Sequence, residues 1–567
     1  MSSRSSVKTV EAREILQDFS GGLNTRLAEN RLQPTQTPSA SNVWNAVGAL
    51  KKRNGFASTA VTASGISWSL SAPCILSSGS STRMYIRASG DSRLGLLYTD
   101  NGTTFAVVGY ATGTISTTSG SPTVTGSGTT WTTDVRGAPV PGVTKGDLLV
   151  VNGEVHYIAT VDSNTQLTLE TNMASTVSGS AYVITPYTGA SGRSAMVAFA
   201  GYMWVVNYLP TALATRAPYR VSGTTFSTVS AVPVVSKLAV HKNYMFGAAT
   251  QANPSRIYWS ALKDPTSWPS ANIIDVAPDD GYGIEALVSL ESGLLIVKRT
   301  SVYLLTGDVF DPINPTYQLT QQQAPSDFIC AAPSNVAIID GDAVLVGDSG
   351  IYTTGGGPVE LMPSSQLIAS RLLAYGTNSP VPSVGSVASS VFYNGRLYIA
   401  AQYSNSGAYT VLVLDENGAW WEWQTATTDY LATELILFRN NLVALSASAA
   451  YRTLLSTSSD GATAINGTYT TKVFEYPETQ QFTRGYVHYK KQSAGNLTFE
   501  FSVDEGATWV STTVAMTSGQ GGGTRLKSNL ITIGRIGNTI QFRVSNNTAA
   551  QDFEVYAIEF YRRPLKQ

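Results

Sequence analysis

Residues 256–308 read RIYWSALKDPTSWPSANIIDVAPDDGYGIEALVSLESGLLIVKRTSVYLLTGD, and they decide the fold of this chain. Apolar, β-branched and aromatic residues come in short runs, at 256–260, 284–290, 294–299 and 301–305. Between the runs lie Asp264-Pro265, Trp268-Pro269 and Pro278-Asp279-Asp280-Gly281, which favour turns because proline fixes φ and aspartate side chains bond to nearby backbone. The pattern predicts one antiparallel sheet of short strands.

The same unit recurs along the chain. Turn centres between two apolar runs fall at Gly79, Gly201, Asn243, Gly293, Gly341, Gly395 and Asn440, with steps of 122, 42, 50, 48, 54 and 45 residues. The long first step contains residues 111–189, a Thr/Ser/Val-rich stretch with an Asn152-Gly153 hairpin signal, which predicts a small β-barrel inserted into a loop. Without its 79 residues the first step becomes 43, in line with the others.

A period of about 40–50 residues with several short strands in each repeat is typical of a β-propeller. The fold class predicted is therefore all-β: a propeller of six to eight blades, with seven the direct count. The predicted segments are an N-terminal arm at 1–56, the propeller at 57–110 and 190–465, the inserted barrel at 111–189 and a C-terminal β-sandwich at 466–567. The Gly-His and Trp-Asp signature of WD40 repeats does not occur in these repeats.

Composition narrows the function classes. The net charge is −1, so no overall basic field attracts nucleic acid or an anionic membrane. No apolar run reaches the ~20 residues that span a bilayer, and the first residues have no apolar core of signal-peptide length, so we expect synthesis in a cytoplasm. Cys74 and Cys330 are the only cysteines and are expected to be free thiols.

The N-terminal arm has apolar anchors but no hydrophobic period of its own. Such a segment is expected to lie on another surface, either of its own chain or of a neighbouring subunit. Its candidate assembly contacts are Phe19, Leu23, Trp44, Leu50 and Arg53.

Few residues have the pattern of a catalytic site. The three histidines, His156, His241 and His488, fall in three different predicted segments, and each is read as an ordinary strand residue. The carboxylate pairs Asp279-Asp280 and Asp415-Glu416 lie in predicted turns, where adjacent side chains point apart rather than across a cleft. We therefore expect no enzyme activity, no metal and no cofactor.

Two further stretches have a structural and a functional interpretation. Trp420-Trp421-Glu422-Trp423 fits a strand whose tryptophans pack against the next blade, and it also fits a sugar platform. Residues 502–509, SVDEGATW, match the Asp-box turn found in sialidase propellers. In that turn Asp504 caps the loop with Ser502 beside it, Gly506 supplies a positive φ and Trp509 plugs the hairpin, so a structural turn is favoured.

Two regions resemble a known family. The arm, with its Phe19-Ser20-Gly21-Gly22-Leu23-Asn24 run and residues 48–55, GALKKRNG, is similar to the start of many tailed-phage tail proteins. The central stretch resembles the tail nozzle (tubular protein B) and tail-hub proteins of short-tailed phages, at Tyr258-Trp259-Ser260, Asp279-Asp280-Gly281 and Lys298-Arg299 among others.

The resemblance implies a β-propeller virion protein, with several copies, six in the nozzle, forming a ring that channels and retains the genome. It also implies tail adaptor or tube proteins and tail fibres or spikes as partners, transient contact with DNA, and assembly in the host cytoplasm. Two alternatives stay open: a tail adaptor or receptor-binding component that recognises a host-surface glycan, and a glycan-cleaving propeller enzyme.

Overall fold

The computed structural model describes most of the chain. The ranges are 11–46, 48–78, 81–90, 93–132, 143–186, 195–206, 218–308, 316–330, 336–347, 350–368, 389–402, 409–424, 434–446, 450–454, 457–461, 463–521 and 523–565. Within them three short 3-10 helices occur among strands, at Glu29–Arg31, Pro278–Asp280 and Pro363–Ile368.

Seven sets of four antiparallel strands form a β-propeller. In each blade we name the strands A to D in order of pairing. The bounds are, for blade 1, Ser69–Ser78, Ser81–Gly90, Arg93–Thr99, Ala106–Val107; blade 2, Ala195–Phe199, Tyr202–Val206, Tyr219–Ser222, Thr225–Thr228; blade 3, Lys237–His241, Tyr244–Ala248, Arg256–Trp259, Ile273–Asp275; blade 4, Ile284–Ser289, Leu294–Lys298, Val302–Thr306, Gln318–Gln322; blade 5, Ile338–Ile339, Asp342–Val346, Ile351–Thr354, Glu360–Leu361; blade 6, Ser389–Tyr393, Arg396–Gln402, Tyr409–Leu414, Trp420–Trp423; blade 7, Glu434–Phe438, Asn441–Ser446, Ala450–Leu454, Phe56–Ala60.

Six of these sheets are separate, and blade 6 continues through Ser39–Ser41 into a larger sheet. The predicted all-β propeller of six to eight blades is confirmed. Strands A are the innermost, because strand A of one blade contacts strand A of the next at every joint except that between blades 4 and 5.

The ring is held by a shared apolar core between every pair of neighbouring blades. Blades 4 and 5, for example, join through Val288, Leu295 and Leu345, and blades 7 and 1 join through Leu445 and Met84. A single four-stranded sheet has two faces to bury, so each blade needs both neighbours and the last must meet the first.

The A–B hairpins explain the recurring glycines and asparagines. The second turn residue has a positive φ at Gly201 (80°), Asn243 (64°), Gly341 (93°), Gly395 (75°) and Asn440 (60°). Glycine and asparagine tolerate this conformation best, so the turn centres could be located from the sequence. The first centre, Gly79, lies outside the described residues.

Blade 7 is completed by the N-terminal part of the chain. Its strand D, Phe56–Ala60, pairs antiparallel with Ala450–Leu454, so that Phe56 lies opposite Leu454. The two ends of the propeller sequence are thereby joined in one sheet, and the ring is closed by main-chain hydrogen bonds.

Residues between blades 1 and 2 form a seven-stranded sheet with its own core, which includes Trp131 and Leu149. Its strands, in pairing order, are Val177–Ser180, Thr114–Thr117, Thr123–Ser127, Gln166–Leu169, Glu154–Ser163, Leu148–Val151 and Val183–Thr185. The two end strands are not paired with each other in the described sheet, so closure into the predicted barrel is not confirmed.

The N-terminal and C-terminal segments share one sheet. Two long strands, Phe474–Lys490 and Ile531–Asn546, form its centre. The remaining strands around them are Ala12–Leu16, Val43–Ala46, Ala49–Lys52, Gly467–Thr470, Asn496–Ser502, Val510–Ala515, Arg525–Lys527 and Glu554–Pro564. The predicted C-terminal sandwich is not confirmed, and the four segment boundaries stay predictions.

Short two-stranded pairings complete the chain. These are Gly22–Leu23 with Gln36–Thr37, Thr62–Ala63 with Ile66–Ser67, and Ser459–Asp460 with Thr463–Ala464. Both cysteines are free, and burial raises the pKa of Cys74 to about 12, so its thiol stays protonated at neutral pH.

Candidate functional site

The innermost strands, which line the propeller axis, carry few charged side chains. Charged side chains on the described strands A are limited to Lys237, Glu285 and Glu434, with His241 the single histidine. Near the A–B turns, Ile338, Phe392 and Leu437 are exposed at 44%, 37% and 38%. The described part of the axis is therefore apolar and weakly charged, without converging acid and base groups.

The N-terminal segment lies on its own chain, which was one of its two predicted placements. Phe19, Leu23 and Leu50 are fully buried. Phe19 packs edge-on against Tyr469, with ring centroids 5.3 Å apart. These apolar anchors contact this chain's own cores and offer no accessible surface to a second subunit.

Arg53 and Trp44 connect the same segment to the propeller. The Arg53 guanidinium is buried, donates to both carboxylate oxygens of Asp460 at 2.9 and 2.5 Å, and donates to the Gln424 carbonyl at 3.1 Å. Half-buried Trp44 lies 3.9 Å from the Arg396 guanidinium, a cation–π contact with blade 6. Of the five candidate assembly contacts, four are buried within the chain, and a role for them in assembly stays untested.

The central stretch that resembles tail proteins forms the joint between blades 3 and 4. The Lys298 side chain is fully buried and donates to Asp280 Oδ1 at 2.7 Å, to the carbonyls of Val276 and Ala277 at 2.9 and 2.8 Å, and to Ser255 Oγ at 3.2 Å. Ala277 has a φ of 43°, a conformation that is costly for a residue with a Cβ. The lysine therefore secures a strained connection between two blades.

Arg256 supports the outer edge of blade 3. Its guanidinium forms a two-point contact with Asp275, at 2.7 and 2.8 Å, between strands C and D. This pairing lowers the pKa of Asp275. The pair lies within residues 256–308, and its bidentate hydrogen bonds hold strands C and D of blade 3 together.

The histidines hydrogen-bond to neighbouring side chains. His156 contacts Thr171 and Glu154, His241 contacts Ser289 of the next blade at 2.9 Å, and His488 contacts Glu559 at 2.7 Å. Each contact lies within or between sheets, as the strand interpretation predicts.

The carboxylate pairs do not face each other across a cleft. Asp280 is bound by Lys298 while Asp279 is exposed. Asp415 is buried and accepts from the amides of Asn417 and Ala419 and from Trp421 Nε1, at 2.9, 3.0 and 2.8 Å, while Glu416 is exposed. Both acids therefore stabilise turns.

The tryptophan run is packed inside the protein. Trp420, Trp421 and Trp423 are 0%, 0% and 3% exposed, and Glu422 is 2% exposed. Trp423 packs edge-on against Tyr398 of the same blade. No face of these rings is open to a sugar.

Residues 502–509 form a hydrogen-bonded turn. Asp504 Oδ1 accepts from the Thr508 amide at 2.9 Å, and Ser502 Oγ accepts from the Gly506 amide at 2.8 Å. Hydrogen bonds from Ser502 and Thr508 lower the pKa of Asp504 to about 2. Gly506 has a φ of 85°, and the half-exposed Trp509 ring lies 4.3 Å from the Arg543 guanidinium.

The most heavily hydrogen-bonded carboxylate described, Glu559, is not indicated by any sequence motif. The Glu559 side chain is fully buried and accepts from Arg13, His488, Lys527 and Tyr561 at 2.6 to 3.1 Å. Burial raises its pKa, but the four hydrogen bonds outweigh burial and bring it to about 2. Arg13, His488 and Lys527 come from three other strands. Residue spacing near Glu559 therefore does not predict that they bind it.

Two kinds of feature are absent from the described residues. Among them, no group of three His, Cys, Asp or Glu side chains is placed to hold a metal ion. No helix in the described part of the chain has the length and apolar character needed to cross a bilayer.

Comparison with known proteins gives fold-level likeness only. No family model matches the chain, and no curated protein does. Among solved structures, virginiamycin B lyase from Staphylococcus aureus is 11% identical, with 60% of this chain and 94% of that chain covered and a TM-score of 0.32.

Two further solved structures are similarly distant. The Pan2 WD40 domain of Neurospora crassa is 10% identical, covering 61% of this chain and 88% of that one, with a TM-score of 0.30. An exo-β-1,3-galactanase from Phanerochaete chrysosporium is 10% identical, covering 65% and 95%, with a TM-score of 0.20. Likeness at this level carries no argument about activity.

Proposed function

We propose that this chain is a structural virion protein of a tailed bacteriophage, a nozzle or hub subunit of the tail. In this role several copies, six by analogy with the nozzle family, form a ring that channels and retains the genome and anchors fibres or spikes. The protein is assembled in the host cytoplasm, and its partners are other copies of itself and tail adaptor or tube proteins.

The observation that carries the proposal is where the family-like residues lie. Lys298 with Asp280 joins blades 3 and 4, and Arg53 joins the N-terminal segment to the end of blade 6 through the Gln424 carbonyl. Residues that carry the resemblance therefore brace the fold from within. A rigid subunit is the property that a ring of copies around a pressurised conduit requires.

The weakly charged axis supports a mechanical role over a catalytic one. The candidate acids and histidines in the described chain are held in turns or between strands. Glycoside hydrolysis needs two carboxyl groups about 5–10 Å apart across a cleft, and the candidate pairs do not supply this arrangement. We accordingly expect no turnover of labelled glycans.

The test is the position of the chain in phage particles. Particles encoding this chain should contain it after purification, and electron microscopy should show propeller-shaped density repeated around the tail axis. Absence of the chain from purified particles, or its location in the capsid shell, contradicts the proposal. Hydrolysis of a labelled glycan that is lost on mutating a carboxylate favours the enzyme alternative instead.

A further inference from the structure

A pocket opens on the A–B face of the propeller, where blades 1, 2 and 3 meet. It has a volume of about 450 Å³, and its lining includes Leu76, Ala198, Phe199, Asn243 and Lys263. Sites for small ligands typically have volumes of about 300–1,000 Å³. The pocket is separate from the Lys298 and Arg53 contacts described above.

The floor of the pocket is apolar and only half covered. Leu76, Ala198 and Phe199 are half-buried, and their inner sides pack into the cores between blades 1 and 2 and between blades 2 and 3. The floor is therefore held rigidly from beneath while its outer side meets solvent. The turn at Ala200-Gly201, with φ values of 52° and 80°, forms one wall.

The polar groups are gathered on the blade 3 side. Asn243 and Lys263 are exposed, and the Lys263 amide donates to the Asn243 carbonyl at 2.8 Å, which fixes the two residues beside each other. Within the described residues, neither the Lys263 ammonium nor the Asn243 side-chain amide has a hydrogen-bonding or ionic partner. The pocket thus pairs an apolar floor with one cation and one amide on the same side.

We propose that this pocket binds an amphiphilic anion, a ligand with an apolar body and a single anionic oxygen group. The apolar body would cover Leu76, Ala198 and Phe199, and the anionic group would accept from Lys263 and Asn243. The ligand's polar group is expected to be anionic because the Lys263 ammonium, which has no acidic partner, would form a charge-assisted hydrogen bond with it. The inference is independent of the role proposed in the tail.

This ligand chemistry has two sources, a free fatty-acid-like anion and the carboxylate at the C-terminus of an apolar peptide. Anilinonaphthalene sulfonate, which has an aromatic body and one sulfonate, is the first probe. Fluorescence titration of the full chain should show one saturable site with a dissociation constant on the order of tens of micromolar.

Three variants distinguish binding in this pocket from non-specific binding of the probe to the protein surface. Lys263→Met should weaken binding of the probe on the order of tenfold, because the charged partner is lost. Lys242→Met is the matched control, since Lys242 is also exposed, lies one residue from Asn243 but outside the pocket, and donates to the Gly307 carbonyl at 3.1 Å. Phe199→Ala should weaken binding through the apolar floor, and circular dichroism will verify its fold.

Competition then identifies the source. Decanoate should displace the probe while decanol should not, and acetyl-Gly-Leu-Phe should do so as the acid but not as the amide. Displacement by either acid supports the proposal and identifies the source. Equal displacement by acid and neutral forms, equal binding by the Lys263→Met and Lys242→Met variants, or the absence of a saturable site overturns it.

Discussion

Replacing Lys298 with methionine tests how much the joint between blades 3 and 4 contributes to stability. Methionine keeps the length and apolar stem of lysine but removes the ammonium group. The change therefore deletes the hydrogen bonds to Asp280, Val276, Ala277 and Ser255 without leaving a large cavity.

The magnitude follows from the partners left behind. Breaking a buried ion pair costs about 3–5 kcal/mol when the remaining charge stays buried. Asp280 is 27% exposed and can regain water, which reduces the cost, but the Val276 and Ala277 carbonyls lose their donor at the strained connection. We expect a loss of about 3 kcal/mol in the free energy of unfolding.

The assay is urea unfolding followed by far-ultraviolet circular dichroism, with Lys491→Met as control. Lys491 is an exposed lysine on the C-terminal sheet, and its replacement should change stability by less than about 0.5 kcal/mol. If Lys298→Met unfolds at the same urea concentration as the wild type, the joint is not held by this lysine and the reasoning is refuted.

Three other predictions address the remaining contacts. The low pKa of Glu559, about 2 against an unfolded value of about 4.3, gives a stabilisation of about 3 kcal/mol that is present above pH 4.3 and lost as the pH falls towards 2. Glu559→Gln should be less stable at pH 7 and lose less over that window than the wild type in urea titrations, while exposed Glu505→Gln should follow the wild type. Asp504→Ala should speed amide hydrogen exchange at Thr508, measured by mass spectrometry, and unchanged exchange would show that the turn does not depend on this carboxylate. Deleting residues 1–60 should lower the unfolding midpoint in urea further than deleting residues 1–55, because both remove the N-terminal segment and only the longer deletion removes strand D of blade 7, and equal midpoints would mean that the ring closes without that strand.

The sequence predicted the structural features that depend on residues close to one another in the chain. The A–B hairpins join adjacent strands, and their glycine or asparagine turns are required by local backbone geometry, so the period of the blades was visible. The sequence of residues 420–423 indicates a strand, and alternation along it places Trp420 in one core and Trp421 and Trp423 in another. Only their burial in the structure decides between packing and a sugar platform.

The sequence could not indicate pairings between distant segments. Phe56 lies opposite Leu454 in blade 7, and Arg13 meets Glu559 although 546 positions separate them. The apolar anchors of the arm fit a surface of its own chain or of a neighbouring subunit equally well, and in the structure Phe19 and Leu50 fill this chain's own core. An apolar residue reports that it will be buried, and it does not report which surface will cover it.

The closure of blade 7 also determines when its strand D can pair during synthesis of the chain. Strand D of that blade leaves the ribosome before blades 1 to 6 are synthesised, but strand C, residues 450–454, leaves it after them. Until then Phe56–Ala60 has no partner in its blade, and blades 1 and 6 each have one face uncovered. The nascent chain therefore carries an unpaired strand edge throughout the synthesis of blades 1 to 6, a period in which binding by a chaperone would protect it from aggregation.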